Sequence, residues 1–445
     1  MAEEGNNIID ELQVLFNTYF EARTAGKTPD FLELEYIIME RYAYSYIDTK
    51  VGLDIAELGL AKYPDSITLK LSLARKYVRI NKLDKAKKLI VELEFTASNS
   101  SELNLARGEY LIKTGETDKG LAEFQLAIDL ADERQTQINA ITEFGQMKPG
   151  THKADILYEV GSILNSSIMP DKAIQYLEQG IKLAAGKGLN NQYKMMIAAC
   201  HMQKNNSGKA IQLYNEILDQ SPFFTIAWHA LAEIYIKIED FDNAIKACEY
   251  VLAIDEKFWA AYYLLSKAYT GKNNPQKAIE MLTSINGNVR DKENVYTELC
   301  TIYRDICDYE NEEKTARKII DIDPDNLNAH VFMCDAMFNT KQWEEVIFHA
   351  EILLNAGADE EGLFFCYAVA CYNLDEYNKV IELLERLLQQ YPDFPDPAPV
   401  YLMLWNSYNQ IGNEQMTRKY IKKAQEIDPE IESPFGNDND NGNTD

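Results

Sequence analysis

Residues 228–256 read WHALAEIYIKIEDFDNAIKACEYVLAIDE, and Trp228, Leu231, Ala232, Tyr235 and Ala244 return 34 positions later as Tyr262, Leu265, Ser266, Tyr269 and Ala278. The next step gives Tyr296, Leu299, Cys300, Tyr303 and Glu312, and the following two reach His330, Met333, Cys334, Met337 and Val346, then Phe364, Tyr367, Ala368, Cys371 and Val380. Large residues three and seven apart make one stripe along a helix. Small residues at the eighth and twentieth positions of each unit let two helices approach closely. Pro64, Pro222, Pro324, Pro392 and Pro429 fall near the thirty-second position, where proline stops a helix and turns the chain.

The register extends outward in both directions. Three added residues around 393–399 lead to a last unit with Tyr401, Leu404, Trp405 and Tyr408. Backward come units on Ile197 and Ala198, on Val160 and Gly161, on Arg107 and Gly108, and on Leu73 and Ala74. A weaker unit at Tyr36 and Met39 has Ala43 where a large side chain is expected. Each unit reads as an antiparallel helix pair with one apolar flank that only the next unit covers.

This spacing of W/Y, L, G/A, Y, A, F/Y, A and P over 34 residues resembles the tetratricopeptide-repeat family, across about residues 33–431. The resemblance implies an all-α fold, a right-handed superhelical solenoid of about eleven antiparallel helix pairs, whose first helices line a concave groove that binds peptides or partner proteins. The expected organisation is a capping helix in 1–32, N-terminal units in 33–134, an irregular insertion or hinge in 135–153, C-terminal units in 154–431 and a disordered acidic tail in 432–445. The interval from Gly120 to Ala173 is 53 residues instead of 34, which locates the insertion.

Composition agrees with a helical array and limits its partners. An apolar fraction of 46% supplies a large core. A net charge of −27 opposes nucleic-acid phosphates, so nucleic acid is not an expected partner. The start, MAEEGNNIIDELQ, lacks the basic patch and apolar run of a secretory signal. The longest apolar run, Gly362 to Tyr372, is too short to span a bilayer, which takes roughly 20 residues as a helix. Seven cysteines without a CxxC pair fit a reduced interior, and the expected location is cytoplasmic. No phosphate-cradling glycine motif, HExxH or zinc spacing occurs, so neither catalysis, cofactor nor metal is expected. The five histidines read as core or seam residues, and acidic pairs such as Glu344 and Glu345 as solvated helix faces.

Two stretches could bind a partner. From Ala61 to Ile90 nine Lys or Arg face two acids, a local balance of +7 in an acidic chain. The family geometry sends Arg75, Arg79 and Lys113 to the groove, where they could receive an acidic peptide, or else merely balance acidic neighbours. The chaperone-tail clamp of the family is not reproduced, since its ninth positions here are Arg75, Glu109 and Ser162. Farther on, the groove positions become apolar: Met195, Met196, Met202, Tyr263, Phe332, Phe338, Phe365 and Tyr372. This row suits an apolar peptide or amphipathic helix, unless the winding of the array buries it. The chain therefore reads as a non-enzymatic interaction scaffold for an unidentified protein or peptide. A self-assembling homo-oligomeric array and a regulatory subunit of an enzyme complex are the alternatives.

Overall fold

A computed structural model describes residues 2–131, 152–183, 187–285 and 292–431, and its regular elements there are 23 helices with no strand. The helices are short, and their ends follow the repeat. Those ending before Pro64, Pro222, Pro324, Pro392 and Pro429 stop at Lys62, Gln220, Ile322, Gln390 and Ile427, in each case two residues earlier.

The turn inside each pair has its own period. Asn81, Gly115, Ile168, Asn205, Glu239, Asn273, Cys307, Lys341, Asp375 and Gly412 all hold positive φ, and all occupy the fifteenth position of their units. A left-handed residue here lets the first helix close on itself: the Lys82 N–H donates to the Tyr77 carbonyl and the Asn81 N–H to that of Val78. The next residue often starts the second helix, with Asn206, Asp240, Asn274, Asp308 and Asn413 each accepting a backbone N–H three residues on.

The chain forms two compact units, Met1–Ile234 and Tyr235–Asp445. In the first, helix Ala2–Thr24 packs Leu12, Phe16 and Tyr19 against Phe31, Tyr36, Met39 and Ala43. Helices Ile67–Arg79, Ser101–Lys113 and His152–Ser166 are the first members of successive described pairs. One core joins Leu105, Phe124 and Ile128 to Leu157, Val160, Leu177 and Tyr193, so it continues through the pairs on both sides of residues 132–151. Close approach explains the small eighth position: a Cβ on Gly108 would lie 2.4 Å from the Phe124 ring, and one on Gly161 2.5 Å from Leu177. In the second unit Phe364, Tyr367, Leu384 and Leu404 anchor one core, and Cys300, Met333 and Val346 another. The expected insertion at 135–153, apart from its last two residues, and the expected tail at 432–445 lie outside the described residues. None of the described helices is long and apolar enough to cross a membrane.

Candidate partner-binding groove

Helices Ile67–Arg79, Ser101–Lys113 and His152–Ser166 bring their C-terminal turns to one cleft of about 670 Å³ in the first unit. Its wall alternates apolar and polar side chains: Val78, Ile112 and Ile163 beside Arg79, Glu109, Lys113, Glu159 and Ser162. Ile168 also lines it, in the left-handed turn and 83% exposed. The positions that meet here are mainly the sixth, ninth, twelfth and thirteenth of adjacent units.

Of the three expected cationic residues, two are engaged within the molecule. Arg75 donates from Nε to Glu109 Oε2 at 3.0 Å and from Nη2 to Glu159 Oε2 at 2.6 Å. Arg79 donates from Nε to Glu109 Oε1 at 2.8 Å and from Nη1 to the Tyr44 hydroxyl at 3.3 Å. Burial on its own would lower Arg75, yet Glu159 and Glu109 hold its guanidinium above the ordinary value. Burial works against the Glu159 carboxylate too, and Arg75 nevertheless keeps it below the usual range. The buried Glu40 beneath this network pairs with Lys76 and accepts from Ser72 Oγ at 2.9 Å. Lys113 and Arg79 are both exposed, but Lys113 makes no ion pair among the described residues, whereas Arg79 is held by Glu109.

The apolar residues belong to both units. Met195, Met196 and Met202 are half-buried in the first, with the Asn165 amide 3.9 Å from the Met196 sulfur. In the second unit Phe332 is buried and carries the Arg304 guanidinium 4.5 Å above its ring. Tyr263, Phe338, Phe365 and Tyr372 are half-buried. Tyr263 lies under Lys267 and donates to Glu298 at 3.3 Å, while Phe338 meets the edge of Trp343, Phe365 meets Phe394 and Tyr372 meets Tyr377. Neighbouring rings therefore cover part of this row and leave part of it to solvent.

Several groups that govern the charge here escape a reading by period alone. Glu159 reaches Arg75 across 84 residues, and the interval that breaks the register hides that pairing. His330 and His349, both buried, face each other with Nδ1 atoms 2.8 Å apart, and His330 Nε2 lies 3.2 Å from the Pro324 carbonyl. That carbonyl only accepts, so His330 carries its proton on Nε2 and His349 donates across the Nδ1 contact. Burial, then His330, then Arg317 push His349 down to about 4. Cys300 fills its small-residue site, and Cys307 is exposed in the left-handed turn. Among the described residues no group of three or more His, Cys, Asp or Glu side chains is placed to hold a metal.

A family model described as the ARM repeat of tetratricopeptide repeat protein 21 matches residues 95–248, and one described as a tetratricopeptide repeat matches residues 235–298. None of the curated proteins matches the chain in sequence. Among solved structures, a tetratricopeptide repeat protein from Parabacteroides merdae is 12% identical, with 61% of this chain and 98% of that one covered at a TM-score of 0.39. PilF of Pseudomonas aeruginosa is 11% identical over 51% of this chain and 100% of its own, also at 0.39. MamA is 21% identical over 36% of this chain and 93% of its own, at 0.33.

Proposed function

Because the chain belongs to the tetratricopeptide-repeat family, we propose that it is a non-enzymatic interaction scaffold, holding a partner segment against the first helices of its repeats. The observation that supports this most directly is the cleft of about 670 Å³, to which three successive first helices contribute both aliphatic and charged side chains. The pairing of Arg75 and Arg79 with Glu109 and Glu159 modifies the simplest acidic-peptide reading. An acidic partner meets Lys113 first, and gains the arginines only by competing with two carboxylates already in place.

The test is capture of partners from native extract by the tagged full chain, followed by mass spectrometry. It is run beside Lys113→Glu and Phe365→Ser variants whose circular dichroism matches wild type. A distinct protein recovered by wild type and lost with either variant supports the scaffold. Recovery of the chain alone, in an assembly that dissociates as salt rises, supports the self-assembling array instead.

A further inference from the structure

Charged side chains flank the apolar row of the second unit and narrow its chemistry. Helix Lys292–Asp305 places Arg304 between two carboxylates: Nε lies 3.1 Å from Glu312 Oε1 and 3.0 Å from Asp335 Oδ2. One guanidinium thus serves two acids. Glu312 is wholly buried, and its second oxygen has no hydrogen-bond partner; Asp335 stays about one-third exposed on helix Leu327–Asn339. Directly beneath lies Phe332, one of the apolar row, with half-buried Phe365 on the next first helix.

The same imbalance holds at larger scale. Residues 293–396 contain 23 Asp or Glu against 7 Lys or Arg, a balance of −16 within a chain of −27. Such a field steers cationic partners inward and repels acidic ones.

Resting on the scaffold reading, we infer that the second unit binds a protein segment bearing a lysine or arginine flanked by aliphatic or aromatic residues. Its cation meets Asp335 and adds the positive charge that Arg304 alone does not supply, and its apolar side chains cover Phe365 and Tyr372. Burial, and then the Asp335 charge, raises the Glu312 carboxyl to about 7.

The experiment pans a displayed library of random peptides of about 16 residues, long enough for four helical turns, against the full chain. Asp335→Asn and Phe365→Ser variants with unchanged circular dichroism are panned in parallel. The expected pool is enriched in Lys and Arg beside apolar residues, and its best peptide binds Asp335→Asn about three- to fivefold more weakly, the range of a partly exposed ion pair. A neutral or acidic pool that Phe365→Ser abolishes overturns the charge inference and leaves the groove reading standing. A pool that neither variant affects, or no enrichment over bare support, overturns both.

Discussion

Glu312 occupies the twentieth position of its unit, where neighbouring units carry Ala278 and Val346, and it is buried as completely as they are. Burial and Asp335 raise its carboxyl to about 7, whereas in the unfolded chain it titrates as an ordinary glutamate near about 4.3. Between those values the folded state holds a proton that the unfolded state has lost, so this residue reduces stability as pH rises through the window. Glu312→Ala removes the penalty and leaves Arg304 its ion pair with Asp335. The stability gained is expected to be about 1–3 kcal/mol larger near pH 8 than near pH 4.5, read from urea unfolding of both proteins at each pH. An equal gain at both would show that folding does not raise the Glu312 carboxyl. The sequence displayed this residue as a departure from the repeat. It did not reveal the Arg304 guanidinium that offsets the buried carboxylate or the Asp335 carboxylate that opposes it, because Arg304 comes from the preceding helix and Asp335 from the following one.

A helix pair is held by how closely its two members approach, and Gly108 sets that distance in its unit. An added Cβ would stand 2.4 Å from Phe124, a wholly buried ring that cannot retreat without disturbing Leu105, Leu157 and Val160 in the same core. Gly108→Ala is expected to destabilise the protein by about 1–3 kcal/mol, the usual cost of overpacking. Adding Phe124→Leu should return part of that loss, because the smaller side chain makes room. If the two substitutions instead add independently in urea denaturation, the contact does not govern the pair. Helices and the small eighth and twentieth positions were legible from spacing, since packing geometry repeats wherever the units repeat. The left-handed fifteenth position was not, because residues as unlike as Asn81, Ile168 and Cys307 adopt it. The turn is imposed there by the two helices it joins, at a cost of roughly 1–2 kcal/mol for a non-glycine residue.

Across the molecule, the principal contacts join helices adjacent or nearly adjacent in chain order, so most of each unit's stability comes from itself and its immediate neighbours. Unfolding is then a set of local equilibria and not one transition. Trp228, Trp259, Trp343 and Trp405 sample different repeats. Variants that keep one tryptophan and replace the other three by Phe should give urea midpoints that differ by more than their fitting error. Coincident midpoints would show a single cooperative block. Charge also belongs to this scale: the basic stretch at 61–90 and the acidic stretch at 293–396 lie far apart in sequence, and partners of opposite sign suit them.

The sequence by itself determined that the protein is a chain of helix pairs and which side of each helix is apolar. These follow from periodicity, a local property that each unit repeats. Only the tertiary structure decided how the charged side chains pair. Arg75 and Arg79 became partners of Glu109 and Glu159, and Arg304 was shared by Glu312 and Asp335. An ion pair depends on distances of a few ångströms between side chains on different helices, and a repeat pattern does not fix those distances.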